Sequence, residues 1–171
     1  MTWRLWLNGL ITPSDTRPMQ KPNNLKYSKS QKGRLNVAIK LDRLCYGDFA
    51  LMANESARLN SAQLSAAILA IKRLLKKDGT PLLRLFTHTP VTQKPSEVRM
   101  GKGKGPVSHY ITKVQTGAII VEIRSTSSGS APTSASAALA ISALKVAQSK
   151  LPLETSIIRA AALSSLPRPT Q

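Results

Sequence analysis

Carboxylates are the first thing this chain is short of: aspartate and glutamate together number 8 in 171 residues. General acid–base chemistry of the paired-carboxylate kind needs two such groups placed together, and no pair stands out among so few. A single cysteine, Cys45, excludes an internal disulfide framework and a cysteine zinc cluster. The two histidines, His88 and His109, lie 21 positions apart with no metal-ligand spacing around them, so no metal site is expected. Cys45 with a distant histidine could serve as nucleophile and base; the expected role is instead a plain buried thiol. No run of about 18 apolar residues occurs, which rules out a membrane-spanning helix. An enzyme, a cofactor and a small-molecule substrate all lack material here, and none is expected.

What the chain has instead is positive charge. Lysine and arginine number 25, so the formal net charge is 25 − 8 = +17. Self-repulsion at that level opposes compaction unless a polyanion neutralises it. The excess is uneven: residues 1–113 carry 20 basic and 6 acidic residues, and residues 114–171 carry 5 and 2. The front two-thirds is therefore expected to meet the partner and the back third to serve as scaffold. Nucleic acid is the expected polyanion, because phosphate contacts reward lysine and arginine without base-specific chemistry. An anionic membrane surface fits less well, since the basic residues sit in loops and on mixed faces and do not line one long amphipathic helix.

Along the chain, residues 1–31 read as an extended, proline-bearing basic arm (Pro13, Pro18, Pro22) with an apolar anchor at Trp3, Leu5, Trp6 and Leu7. Its first nineteen residues include Arg4 and Arg17 and one acid, Asp15, a balance that leans toward an organellar targeting peptide. With Met1 still in place, the expectation is synthesis inside the compartment or import without cleavage. Residues 32–160 read as one α+β domain, and residues 161–171 as an irregular tail. Asp42–Ala53 reads as strand, turn and strand around Gly47. Asn60 is a good N-cap with Gln63 at N3, and Leu64, Ile68, Ile71 and Leu75 form one helical stripe. Lys72, Arg73, Lys76 and Lys77 load its last turns, where the helix dipole favours cations, with Gly79 expected as the C-cap and Pro81 as the stop. Pro81–Phe86 reads as a strand and His88–Pro95 as a two-proline turn region. "HYITKV" and "GAIIVEIR", flanking "QTG", read as a hairpin. After the low-complexity stretch Ser125–Ser136, a second helix is expected over Ser134–Lys150, with Ala137, Ile141, Leu144 and Leu151 on one face. Glu154–Ala160 reads as a returning edge strand. The expected fold is thus α+β, with a compact mixed or antiparallel sheet and two main helices.

The most unusual stretch is "EVRMGKGKGPVSHY", Glu97–Tyr110. Gly101, Gly103 and Gly105 alternate with Lys102 and Lys104 and follow Arg99. A loop this flexible and cationic has no reason to order itself in water. A P-loop would need G-x-x-x-x-G-K-[ST] before a helix; no Ser or Thr follows a Gly-Lys pair, and a strand is expected next. The bland alternative is a disordered surface loop, as a solvated charge run is for "KYSKSQKGRL", Lys26–Leu35.

"PVTQKPSEVRMGKGKG", Pro90–Gly105, resembles the signature of the universal large-subunit ribosomal protein sixteen family in its bacterial and organellar form. "KYSKSQKGR" is similar to that family's basic N-terminal segment, "ARLNSAQLSAAILAIKR" to its first helix, and "SKLP" with Thr155 to the end of its second. The resemblance implies a structural, RNA-binding protein of the large ribosomal subunit. Carried over, Lys26, Lys29, Lys32, Arg34, Arg58, Lys72, Arg73 and Lys94 belong to the rRNA face. Arg99, Met100, Gly101, Lys102, Gly103, Lys104 and Gly105 belong to a loop facing tRNA near the peptidyl-transferase centre. The implied partners are large-subunit rRNA, that tRNA and neighbouring large-subunit proteins. Departures from the family pattern stand at Ser56 and Ala57, where a basic residue and a glycine are usual, and at Leu82 and Leu83, where an aromatic is common. With the non-matching arm they favour a mitochondrial ribosome, over a plastid one or a bacterial cytoplasm. The open alternatives are a free RNA-binding or RNA-chaperone protein and an enzyme built on Cys45.

Overall fold

A computed structural model of the chain describes residues 22, 24–36, 39–40, 42–125 and 134–160. The apolar N-terminal anchor, all of the arm before residue 22, most of the low-complexity stretch and the tail lie outside the described residues. The elements are β1 Phe49–Ala53, β2 Ala57–Asn60, α1 Ser61–Leu75, β3 Gly79–Leu83, β4 Thr89–Thr92, β5 Val107–Val114, β6 Ile119–Ser125, α2 Ser134–Gln148 and β7 Thr155–Arg159. They form two antiparallel sheets, β3-β6-β1-β7 and β2-β5-β4, with two helices: an α+β fold.

Helix α1 starts as its sequence requires. The Asn60 side chain accepts an amide hydrogen bond from the first turn, and the Gln63 carboxamide oxygen accepts from the Asn60 N–H at 2.9 Å, a complete capping box. Leu64, Ala67, Ile68, Ile71 and Leu75 are buried along one face. Helix α2 meets α1 through small residues, Ala137, Ala140, Ala143 and Ala147, with Leu144 the large side chain among them. Both helices share one core with Phe49, Leu51, Val121 and Ile123 of the four-stranded sheet. Burying an alanine gains less than burying a leucine, but small side chains let the helix backbones approach closely.

Several sequence expectations are corrected. The C-cap of α1 is Lys76, with φ 49°. Gly79 instead opens β3, because Asp78 N–H returns to Leu75 O at 2.8 Å and turns the chain three residues earlier. β5 and β6 are not a hairpin with each other: β5 lies in the three-stranded sheet and β6 in the four-stranded one. The chain changes sheet at Gly117, φ 82°, whose N–H reaches Ala53 O at 2.7 Å and whose missing Cβ leaves room for the Lys40 carbonyl. The hairpin partner of β5 is β4, inside the supposed turn region. Pro90 and Pro81 both sit in strands, and both strands are sheet edges, where a missing N–H is tolerated. The expected first strand of Asp42–Ala53 is an irregular loop, and only Phe49–Ala53 is strand.

That loop is held by a group that gave no signal in the sequence. Glu122 lies on β6 in the interior of the four-stranded sheet with its side chain fully buried. Its carboxylate accepts the N–H groups of Tyr46 at 2.7 Å and Gly47 at 2.9 Å and pairs with the Arg84 guanidinium. Burial opposes the charge on Arg84. The hydrogen bond with Cys45 and the attraction of Glu122 outweigh it and raise its pKa further, so this cation persists at every working pH. Cys45 itself is exposed, not buried, because the amides of its loop turn inward to Glu122 and its thiol turns out.

Candidate nucleic-acid interface

The glycine-lysine segment is the tip of the β4–β5 hairpin. Val91 pairs with His109 and Thr92 with Val107 across a register shift. Gln93 N–H then reaches Pro106 O at 3.2 Å and closes the hairpin base. Inside that base, Val98 N–H donates to Pro95 O at 3.3 Å. Three consecutive residues have left-handed φ: Gly101 at 94°, Lys102 at 53° and Gly103 at 81°. Gly105 has a different reason to be glycine. A Cβ there would stand 2.9 Å from Gln93 O, against the hairpin base. Arg99, Met100, Lys102 and Lys104 are exposed, Met100 to 96%.

The basic N-terminal segment runs beside this loop and grips it. Lys29 Nζ donates to Lys104 O at 2.9 Å, and Lys104 Nζ donates to Ser30 O at 2.7 Å. Lys94 Nζ donates across the loop to Gly101 O. Three residues further along the segment, Arg58 Nη2 donates to Gly33 O at 2.8 Å. Lys26 lies over the Tyr27 ring, 5.6 Å from its centroid. The amines are thus tied to carbonyls, which satisfies hydrogen bonding without neutralising charge. Lys32 and Arg34 are exposed on the same segment.

Of the residues that the sequence assigns to one rRNA face, Lys29 and Lys94 bond the loop itself, Lys26, Lys32 and Arg34 stand on the same N-terminal segment as Lys29, and Arg58 reaches that segment at Gly33. Lys72 and Arg73 stand apart, in the last turn of α1. Arg58 precedes the other end of that helix, so about 20 Å of helix axis separates the two groups at 1.5 Å per residue. Lys113 on β5, which the sequence reading passes over, is the register partner of Arg58.

The clasp makes a prediction of its own. Lys29→Met should lower the backbone order parameters of residues 101–105 toward the flexible range, below about 0.6, while Lys102→Met leaves them unchanged. The measurement is amide relaxation by NMR. Equal effects of the two substitutions would mean that the segment does not hold the loop.

Residues 22–158 match the family model described as ribosomal protein L16p/L10e. The chain is 39% identical over 141 residues to the large ribosomal subunit protein uL16 of Polaromonas naphthalenivorans, covering 82% of this chain and 96% of that one. It is likewise 39% identical over 142 residues to the uL16 of Thermus thermophilus, covering 82% and 94%. With that of Coxiella burnetii it shares 40% over 142 residues, covering 82% and 97%.

Proposed function

The chain belongs to the ribosomal protein L16p/L10e family, and from that premise we propose that it is a structural constituent of the large ribosomal subunit that binds large-subunit rRNA and presents its β4–β5 loop to tRNA near the peptidyl-transferase centre. As a member of this family it is a structural protein and not an enzyme. The observation that carries the finer reading is the clasped cationic loop. Lys29, Lys94 and Lys104 spend their hydrogen bonds on carbonyls, so the strip is preorganised and keeps its charge, with no carboxylate paired to it among the described residues. Preorganisation lowers the ordering cost of binding, and a strip of amines on a glycine-rich backbone can lie close to a curved phosphate chain. Chemistry at such a site belongs to the RNA, and the protein positions and neutralises.

The particle is a mitochondrial ribosome in this reading. Support comes from residues 1–21 and 159–171, which fall outside the family match, and from the departures at Ser56, Ala57, Leu82 and Leu83. Fractionation tests both levels. The chain should sediment with the large subunit of the mitochondrial ribosome through a high-salt wash, and RNA crosslinks should map to residues 26–34 and 99–104. Release by the wash would favour a free RNA-binding protein. Loop crosslinks confined to RNA far from the peptidyl-transferase centre would overturn the placement of the loop.

The isolated basic end of α1 has a separate expected result. Lys72→Gln with Arg73→Gln should flatten the dependence of log K on log salt for rRNA binding by roughly 0.7–0.9 per lost phosphate contact. An unchanged slope would reduce these two residues to helix-end charges that only complement the dipole.

A further inference from the structure

Arg58 on β2 and Lys113 on β5 are direct register partners. Partners in an antiparallel pair project from the same face, and like charges placed directly opposite destabilise a sheet. Both side chains are half-buried, which weakens solvent screening, and both converge on one point. Arg58 Nη2 donates to Gly33 O at 2.8 Å, and Lys113 Nζ fills the space beside Gly33, 2.7 Å from where a Cβ would stand. Gly33 has φ 64°, which turns its carbonyl to the arginine and leaves that space open. Lys32 and Arg34 flank it, both exposed. No carboxylate pairs with Arg58 or Lys113 among the described residues. Arg58 Nε is buried without a hydrogen-bond partner. The fold therefore holds two cations together, short of acceptors, at a cost to the free protein.

We propose that Arg58 and Lys113 form a clamp for a single RNA phosphate, with Gly33 as the notch that lets the backbone reach it. Bridging by one phosphate converts the repulsion between the cations into two charge-assisted contacts. The guanidinium offers its free Nη protons in a planar fork and the lysine offers an ammonium that can rotate to fit. A single anion shared by both explains why the cations face each other; separate phosphates would favour placing them apart. The proposal rests on the rRNA-binding reading above and adds Lys113, a residue that reading does not contain.

The test uses the full chain and a fragment of the large-subunit rRNA, with affinity measured across a salt series for the native protein, Arg58→Gln, Lys113→Gln and the double variant. Each single substitution should flatten the slope of log K against log salt by up to about 0.7–0.9, one phosphate's worth. The double variant should fall no further than the larger single, because the two cations hold the same phosphate. A double variant that loses twice as much would show two independent contacts and overturn the clamp, and so would slopes unchanged in all three. Native protein that binds the RNA without salt dependence would instead bring down the rRNA reading beneath it. A second readout needs no RNA. In low-salt, phosphate-free buffer, Lys113→Gln should raise the Tm by about 1–3 °C by relieving the repulsion. Millimolar inorganic pyrophosphate should raise the native Tm and close that gap. A Tm that Lys113→Gln lowers, or a gap that pyrophosphate leaves open, would contradict the clamp.

Discussion

Glu122→Gln is expected to cost the free protein about 3–5 kcal/mol, the range for removing one partner of a buried ion pair. On a domain of this size that lowers the Tm by roughly 6–20 °C. The carboxylate is fully buried and has only donors around it: the Cys45, Tyr46 and Gly47 amides and the guanidinium of Arg84, itself 24% exposed. A carboxamide has one acceptor oxygen and one NH2 group. Whichever way it turns, the NH2 faces a donor, and Arg84 is left charged in a desolvated place without its counter-ion. The double variant Glu122→Leu with Arg84→Leu separates the two costs. It removes the orphaned charge, so it should recover part of the loss. It should not recover all of it, because the Tyr46 and Gly47 N–H groups remain unsatisfied, at about 1–3 kcal/mol for each group left buried. Denaturant melts of the three proteins check this. A Glu122→Gln protein as stable as the native one would mean that the 42–48 loop is held by other contacts.

The contrast between what could be read in the sequence and what could not follows the range of the interactions. Helix α1 was legible from Asn60, Gln63 and the Leu64–Leu75 stripe because capping and periodicity are local. The glycine-lysine stretch stands out in the sequence because alternation is a local pattern too, and in the fold it joins β4 to β5. The β5–β6 hairpin was misread because "QTG" is a good turn in isolation, while strand pairing is decided by partners distant in sequence. Val114 pairs with Ala57, and Ile111 with Thr89 and Asn60. Glu122 carries no sign of its role in the sequence, because β6 is buried on both faces and the inward carboxylate is satisfied by a loop about 75 residues away in sequence. Lys113 escaped notice for the same reason: nothing near it in sequence reveals that Arg58 lies opposite.

The three loop glycines, alike in sequence, are expected to fail differently. Gly101 and Gly103 have φ of 94° and 81° with open space around the Cβ positions, so alanine there meets no atom and only resists the conformation. That resistance is worth about 1–2 kcal/mol per residue in left-handed backbone, added where Lys102 already stands at φ 53°. Gly101→Ala with Gly103→Ala should therefore leave the Tm within about 2 °C, since the loop lies outside the core, and should change the loop's path. Gly105→Ala pushes a methyl against Gln93 O at 2.9 Å and against Lys94 Cγ at 3.0 Å. It should loosen the hairpin base and lower stability by about 1–3 kcal/mol, the usual cost of overpacking. In particles isolated after complementation, the 101/103 pair should incorporate and translate several-fold more slowly, because a displaced backbone moves Arg99, Lys102 and Lys104 together. Lys102→Ala with Lys104→Ala should give a milder defect, since phosphate contacts are spread over many residues. Arg99→Lys should not be silent, because the charge stays while the planar fork is lost. Wild-type translation rates in all these loop variants would make the hairpin tip a surface tether. A defect confined to Gly105→Ala would place the requirement in the hairpin base and not in the path of the loop.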